Sequence, residues 1–203
     1  MRERYSHTLW KVKLEVKEKY DTTAPSYDEL YGNEQYLKYE YIPRYAKPRE
    51  GDVILDIGCG TGLFIEYLFY NNYNLTYYVG LDLSTVMLSI FKNRRRHLLP
   101  LIDLVQGDAE YPPFRPNSFN KIYLITVLDL LPQGVKVIEY IGELLKDNGL
   151  IIYSILKKYD DNRKLQYTSK CKDYIHVITK QKLTSTLKYL IHNHTHNEAL
   201  KRY

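Results

Sequence analysis

The chain has 203 residues, 44% of them hydrophobic, and carries a formal net charge of +5. This length suits one domain with a sizeable core, and the mild positive charge permits an anionic partner without demanding one. No apolar run approaches the ~18 residues of a membrane-spanning helix, and the first residues lack the apolar stretch of a secretory signal. Cys59 and Cys171 make no disulfide framework and have no metal-like spacing, so we expect a protein of a reducing cytoplasm.

The first 50 residues are expected to form helices that cap the rest of the chain. The segment LWKVKLEVKEKYD alternates like a strand, but Leu9, Val12 and Val16 also fit one helix face, and its Lys and Glu residues favour helix. The segments SYDELYG and EQYLKYEYIPRY indicate two more short helices. We therefore predict an N-terminal helical cap or lid over residues 1–50, ahead of one domain at residues 51–203.

From residue 52 onward, apolar runs typical of buried strands alternate with helical patterns. Strands are predicted at 52–58, 77–84, 101–108, 121–131 and 150–158. Helices are predicted at 61–72, 84–97 and 134–149, with Ser84 as an N-cap and Gly149 as a closing residue. Strands separated by single helices must pair in parallel, because each crossover returns the chain to the same edge. The chain is therefore predicted to be an α/β protein with a doubly wound, mostly parallel sheet.

The stretch VILDIGCGTGLFIEYLF places Gly58, Gly60 and Gly62 directly after the first strand. In doubly wound sheets the ligand binds outside the carboxyl ends of the strands, where this turn lies. The first two glycines allow backbone shapes closed to other residues, and the third lets the helix start close to the strand. A dinucleotide turn would need glycine at Leu63, so that fingerprint fails. Asp56, two residues before the glycines, would repel a pyrophosphate and favour a cation.

Taken with three later motifs, this stretch resembles a known family. LDIGCGTG is similar to the first motif of class I S-adenosylmethionine-dependent methyltransferases. GLDLS, GDAEYPPF and NSFNKIYL resemble the family's segments around strands two to four, with Asn120 replacing a common Asp. YDTTAPSYDELY resembles the lid of the subgroup that includes ubiquinone- and menaquinone-biosynthesis enzymes (methyltransferase types 11 and 25). The resemblance runs over residues 18–192.

The resemblance implies a Rossmann-like methyltransferase fold with S-adenosyl-L-methionine as the cofactor. It implies that Asp82 holds both ribose hydroxyls, that Asp108 and Ala109 flank the adenine, and that Asp56 supplies counter-charge near the methionine part. Tyr20 and Tyr27 are expected either over the cofactor or in ordinary packing. The cofactor-binding set is thus Asp56, Gly58, Cys59, Gly60, Gly62, Asp82, Leu83, Asp108, Ala109, Tyr20 and Tyr27.

Methyl transfer is an in-line displacement, for which positioning supplies much of the acceleration, so we expect no nucleophilic side chain. Cys59 is interpreted as a small residue in the turn. The catalytic candidates are Asp129, after strand four, and His176, ahead of the last helix; a structural cap is an equal alternative for Asp129. The histidines of IHNHTHNE suit metal only on an extended strand, so we expect a polar tail and no metal site.

Two classes of methyl acceptor remain open. A small molecule is favoured by the lid-like N-terminus. An RNA or protein acceptor, with or without a partner subunit, is indicated only by the basic run KNRRRH and the positive net charge. That run also suits the end of a helix and has no interleaved aromatic platform.

The C-terminal edge of the sheet is predicted to be truncated. Relatives of the resembled family finish the sheet with an antiparallel pair of strands, and residues 178–193 are predicted to be the helix before that pair. Only ten residues follow, and residues 158–173 are too polar to supply a substitute strand. One or both final strands should therefore be missing. Because an uncovered strand edge invites pairing, we expect a homodimer or another partner there.

Overall fold

The computed structural model describes residues 2–74, 76–156 and 173–183. Three helices precede the sheet, namely α1 (Arg2–Thr23), α2 (Tyr27–Tyr39) and α3 (Ile42–Ala46). The strands are β1 (Val53–Ile57), β2 (Tyr77–Asp82), β3 (Ile102–Gln106), β4 (Phe119–Leu124), β5 (Leu145–Leu156) and β6 (Asp173–Thr179). The helices among them are α4 (Leu63–Tyr70), α5 (Thr85–Arg94) and α6 (Val137–Gly142). None of the helices in the described part of the chain has the length and apolar character needed to cross a bilayer.

These strands form one sheet in the order β3-β2-β1-β4-β5-β6. The first five strands pair in parallel, and β6 runs antiparallel to β5. The chain therefore builds outward from β1 to β3 and then continues on the other side of β1 with β4. The carboxyl ends of β1 and β4 meet where the strand order reverses, which is where doubly wound sheets form a crevice. The predicted doubly wound, mostly parallel sheet is confirmed.

The strands read as continuous apolar runs because helices cover both faces of the sheet. On one face, α6 packs against the sheet in a core that includes Leu55, Leu81, Ile122, Ile138, Ile141 and Ile151. On the other face, α2 to α5 pack in a core that includes Tyr39, Ile54, Phe64, Leu68, Tyr78, Phe91 and Tyr123. The α5 helix begins at its predicted N-cap, since the Ser84 hydroxyl accepts a hydrogen bond from the Met87 amide.

The N-terminal region is helical, as its lysines and glutamates indicate. The ambiguous segment lies inside α1, which is a single helix of 22 residues. The two short helices expected after it are replaced by one longer helix, α2, and the five-residue α3. The helix α2 packs on α4 through aromatic rings, with the ring centroids of Tyr39 and Phe64 5.1 Å apart. The cap over the sheet therefore rests on buried aromatic contacts.

The helix predicted over 134–149 is wrong at its C-terminal end, because α6 stops at Gly142 and Gly149 lies inside β5. Leu145 pairs with Phe119, and regular pairing resumes where Leu150 meets Lys121. The intervening residues form a bulge, in which Asn148 has a φ of 62°. A Cβ on Gly149 would lie 2.9 Å from the Lys146 carbonyl oxygen, so glycine serves a β-bulge there rather than a helix cap.

The strand β6 corrects the predicted C-terminal edge. It covers Asp173–Thr179, and Ile178 and Thr179 were predicted to begin a helix. Its run of Tyr, Ile, Val and Thr is typical of a strand. The edge beyond β5 thus carries one antiparallel strand within the described residues, where the resembled family has two. The predictions for residues 157–172 and 184–203, including Cys171, the histidine tail and any partner at the outer edge, lie outside the described residues.

We predict that Gly80→Ala lowers the free energy of unfolding. Gly80 lies in the middle of β2, and a Cβ there would fall 2.8 Å from the Cys59 Sγ atom and 3.0 Å from Leu104. Overpacking of this kind costs on the order of 1–3 kcal/mol, measurable by urea denaturation. The control is Gly32→Ala in α2, where a Cβ meets no atom within 4 Å and should stabilise the helix by roughly 0.5–1 kcal/mol. Equal stability of the two variants would contradict the packing of β2 on Cys59.

Candidate functional site

A cavity of about 810 Å³, part of it open to solvent, lies above the carboxyl ends of β1 to β4. The turns that follow these strands form its floor through Gly58, Gly60, Leu81, Asp82, Leu83, Ser84, Gly107, Asp108, Ala109, Ile125, Thr126 and Val127. The helix α1 and the start of α2 form its roof through Lys13, Val16, Lys17, Tyr20 and Tyr27. Met87, Leu130 and Leu131 complete the wall. The cavity therefore lies between the sheet and the N-terminal helices, with one part open to solvent.

The glycine turn after β1 is held against the end of β2. The Gly58 amide donates a hydrogen bond to the Leu81 carbonyl at 2.7 Å, and the Gly60 amide donates to Asp82 Oδ2 at 2.9 Å. Gly58 and Gly60 have φ values of 73° and 54°, in the left-handed region that favours glycine. A Cβ on Gly60 would meet no atom within 4 Å, so it would project into free space at the cavity. The turn thus presents bare backbone to a ligand.

The Asp82 carboxylate is fixed at the end of β2 by two backbone amides. Its Oδ2 accepts from Gly60, and its Oδ1 accepts from the Ser84 amide at 2.8 Å. Burial raises the pKa of Asp82, and the hydrogen bonds from Ser84 and Gly60 partly oppose that rise. Each carboxylate oxygen can accept a second hydrogen bond, so two acceptor positions remain for ligand hydroxyls.

Lys13 fastens α1 over the cavity, and no motif in the sequence predicted it. Its side chain is 6% exposed, and its Nζ atom lies 2.6 Å from Asp108 Oδ2 and 2.5 Å from Glu110 Oε2. Burial lowers the pKa of Lys13, but the hydrogen bonds to these two carboxylates outweigh it, so the pKa lies above its ordinary value. One indication in the sequence was that Lys13 lies between Leu9 and Val16 on one face of α1, which made it a candidate for burial.

Tyr20 and Tyr27 lie in the roof, as the lid resemblance implies. Their ring centroids are 6.1 Å apart, and the ring of Tyr27 also packs against Tyr31 at 5.0 Å. Burial raises the pKa of both phenols, and the nearby charge of Asp82 adds to the rise. The two side chains therefore face the cavity as neutral aromatic groups.

Asp56 does not line the cavity, and its predicted role as a counter-charge beside the ligand is not supported by its position. Its side chain is 4% exposed and accepts a hydrogen bond from the Tyr78 hydroxyl below the glycine turn. Burial raises the pKa of Asp56 to about 7, the Tyr78 hydrogen bond lowers it, and the charge of Asp82 raises it further. The motif fixes where this acid lies in the chain, but the hydrogen bond from Tyr78 in β2 determines the direction of its carboxylate.

Cys59 and Gly62 also lie outside the cavity lining. The Cys59 Sγ atom is buried, packs close to Gly80, and its burial raises the thiol pKa. Gly62 has a φ of 85°, and a Cβ there would fall 2.8 Å from the ring of Phe91. These two residues shape the turn from behind, which agrees with the interpretation of Cys59 as a small turn residue.

Neither catalytic candidate lines the cavity. Asp129 Oδ2 accepts a hydrogen bond from the Leu156 amide at 2.9 Å, which is the structural alternative considered for it. His176 lies in β6, is buried, and stacks on Tyr153 with ring centroids 4.7 Å apart. Pairing of β6 with β5 therefore accounts for the position of His176. Because β6 was not predicted from the sequence, His176 was not expected to lie in a strand.

Thr126 is a cavity residue that no sequence pattern indicated. It follows β4 with a φ of 63°, an uncommon conformation for a β-branched residue. Its amide donates to Ser154 Oγ at 2.8 Å, and its Oγ1 accepts from the Lys38 Nζ at 2.8 Å. Lys38 is fully buried and lies 3.1 Å from Asp173 Oδ2. A buried network that joins α2, β5 and β6 thus holds Thr126 at the cavity.

We predict that the stability contribution of Asp56 depends on pH. Its folded-state pKa of about 7 lies above the ordinary 3.8, so the folded protein keeps a proton that the unfolded chain loses between these values. Stability should therefore decline as pH rises through this window. Asp56→Asn stays neutral, so the melting temperature of this variant relative to that of the wild type should rise between pH 4.5 and pH 8. The same change at the exposed Asp147 should produce no such rise. An Asp56→Asn difference that is the same at both pH values would contradict the buried, protonated carboxyl.

Residues 55–153 match the family model described as a methyltransferase domain. An uncharacterised protein of Methanocaldococcus jannaschii is 35% identical over 158 residues, 76% of this chain and 57% of that protein. The sterol 24-C-methyltransferase of Pneumocystis carinii is 32% identical over 128 residues, 60% of this chain and 33% of that protein. The chain thus spans between a third and three-fifths of the length of these relatives.

A solved structure has the same fold and carries a relevant ligand. The Haemonchus contortus phosphoethanolamine N-methyltransferase 2, in complex with phosphomonomethylethanolamine and S-adenosylhomocysteine, superposes with a TM-score of 0.58 at 25% identity. The match covers 66% of this chain and 33% of that chain. These similarities, the matched domain and the doubly wound sheet support S-adenosyl-L-methionine as the cofactor. Residues 55–153 form a methyltransferase domain of the class I S-adenosylmethionine-dependent type.

Proposed function

We propose that the protein transfers the methyl group of S-adenosylmethionine to a small molecule with an apolar body. The observation that carries this proposal is the cavity, in which the glycine turn, Asp82 and the two roof tyrosines face one space. A cavity of this size accepts a small ligand between the sheet and the N-terminal helices.

The residues present fit the cofactor. Gly60 leaves free space where a side chain would otherwise stand, and Asp82 keeps two acceptor positions for ribose hydroxyls. The backbone of Gly58 and Gly60 would hold the methionine part, and Asp108 with Ala109 would flank the adenine. Bound S-adenosylmethionine supplies a methyl group activated by a sulfonium cation. The chain contributes binding, orientation and a roof that excludes water.

The remaining walls favour an apolar acceptor. Beyond the proposed cofactor contacts, the apolar part of the cavity lining includes Val16, Ile125, Val127, Leu130 and Leu131, beside the polar Lys13, Lys17, Ser84 and Thr126. Side chains of this kind bind an apolar body through burial of surface. The names of two relatives support a small molecule, since one acts on a sterol and the other on a phosphoethanolamine derivative. An acceptor that presents its reacting atom near Thr126 would meet a polar group there.

The contacts of the basic run weaken the alternative of an RNA or protein acceptor. Arg94 Nη1 lies 2.8 Å from Asp28 Oδ2, and Arg95 Nη2 lies 3.0 Å from the same oxygen. Arg95 also contacts Glu66 at 2.9 Å. Because these two arginines are paired within the chain, they are poorly placed to bind phosphates. The exposed Lys92 and Arg96 of that run and the net charge then remain in support of that alternative.

We predict that Asp82→Ala weakens binding of S-adenosylhomocysteine by roughly 10- to 10,000-fold. Hydrogen bonds to a charged carboxylate contribute ~1.5–3 kcal/mol each, and up to two are lost. Isothermal titration calorimetry measures the dissociation constant. The matched control is Asp103→Ala, an exposed strand acid that does not line the cavity. An unchanged constant for Asp82→Ala would refute the role of Asp82, and binding of NAD in its place would refute the proposed cofactor site.

We predict that the purified protein transfers labelled methyl groups to the lipid-plus-small-molecule fraction of a cell extract. The extract is incubated with labelled S-adenosylmethionine and then split into RNA, protein and small-molecule fractions. Asp82→Ala provides the background level of labelling, because this variant differs from the wild type only in the residue expected to bind the cofactor. Label that depends on Asp82 but appears in RNA or protein would establish the alternative acceptor instead.

A further inference from the structure

Asp28, in the first turn of α2, contacts three residues in two separate parts of the molecule through one carboxylate. Its Oδ1 atom accepts a hydrogen bond from Thr61 Oγ1 at 2.5 Å. Its Oδ2 atom lies 2.8 Å from Arg94 Nη1 and 3.0 Å from Arg95 Nη2. Asp28 lies in the lid-like segment YDTTAPSYDELY, but neither the glycine motif nor the cofactor motifs assign this acid a role. Asp28 therefore joins α2 to the glycine turn and to the end of α5.

The positions of its partners connect this carboxylate to the cavity. Thr61 is 1% exposed and stands between Gly60, which lines the cavity, and Gly62. Tyr27, the residue before Asp28, lies in the cavity roof. One side chain thus ties a roof residue to the turn that forms the floor. A shift of α2 away from the sheet would break this link first.

The burial of Arg95 makes the loss of its contact with Asp28 energetically unfavourable. It is 2% exposed, and its Nη2 atom contacts both Asp28 and Glu66, the latter at 2.9 Å. Within the described part of the chain, its Nε and Nη1 atoms have no hydrogen-bond acceptor. A buried guanidinium depends on its carboxylate partners to offset desolvation, so loss of Asp28 leaves half of that compensation. Arg94 adds a second tie through the Pro25 carbonyl oxygen at 2.9 Å, beside the turn that joins α1 to α2.

We propose that Asp28 is a positioning residue for the cofactor, which holds Tyr27 over the cavity and couples the closed roof to the glycine turn through Thr61, Arg94 and Arg95. This inference rests on the proposed function, because it assigns Asp28 to the same site. The two arginines at the end of α5 then supply the positive charges that bind the Asp28 carboxylate. The effect of Asp28 on the cofactor passes through its neighbours, since its own side chain does not line the cavity.

The test is a double-mutant cycle between Asp28→Ala and Thr61→Val, with calorimetric dissociation constants for S-adenosylhomocysteine and melting temperatures without ligand. Each single variant should weaken binding by roughly 5- to 30-fold, less than the full effect of one lost charge-assisted bond, because the contact is not made to the ligand itself. The double variant should bind no more weakly than the weaker single variant, because both changes remove the same contact. Glu29→Gln, at an exposed acid in the same turn, should match the wild type. A merely structural role would lower the melting temperatures and leave the dissociation constants unchanged.

The inference is overturned if Asp28→Ala binds within two-fold of Glu29→Gln, or if the two effects multiply in the double variant. Should Asp28→Ala fail to fold, Arg94→Gln takes its place, since that side chain is 42% exposed and its removal spares Arg95. Arg94→Gln should weaken binding by roughly 2- to 5-fold relative to exposed Lys92→Gln, and equal affinity would also overturn the inference. A wild type that binds no S-adenosylhomocysteine refutes the proposed function itself, so the two failures are distinguishable.

Discussion

The hydrogen bond from the Gly60 amide to the Asp82 carboxylate joins the ends of β1 and β2, and the floor of the cavity is arranged around it. The parallel pairing of the two strands brings both ends to the same edge of the sheet, and the Gly58 amide adds a bond to the Leu81 carbonyl. A glycine at position 60 leaves the backbone bare at this point, so the carboxylate and the turn can approach a ligand together. Under the proposed function, a side chain at position 60 would occupy space that the cofactor needs.

The helices α1 and α2 contribute no strand to the sheet, and charged contacts tie the parts of them that border the cavity to the rest of the chain. Lys13 ties α1 to Asp108 and Glu110 after β3, whereas Asp28 ties α2 to the glycine turn and to α5. Both ties end on segments that border the cavity, so the position of the roof and the shape of the floor are linked. Under the proposed function, this linkage lets the helices exclude water while the transferred group is in place. The aromatic contacts of α2 with α4 hold the far end of the same helix.

Local sequence patterns predicted much of this fold, and contacts between residues far apart in the chain determine the rest. The strands up to β4 follow from apolar runs, and Asp82, Asp108 and the cavity glycines follow from motif positions. The direction of the Asp56 side chain depends on Tyr78, 22 residues later, and no local pattern reveals it. Gly149 suits a helix cap and a β-bulge equally well until pairing with β4 decides between them. Lys13 reaches Asp108 across 95 residues, and such a contact has no signature in either segment.

The central claim is that one cavity, bounded by Asp82, the glycine turn and the N-terminal helices, holds S-adenosylmethionine. A crystal structure of the protein with S-adenosylhomocysteine tests it most directly. We expect the ligand between Asp82 and Asp108 beneath α1, with its ribose hydroxyls donating to the Asp82 carboxylate and its homocysteine part against Gly58 and Gly60. Ligand density elsewhere on the molecule, or density in this cavity that leaves the Asp82 carboxylate without a ribose contact, would contradict the account.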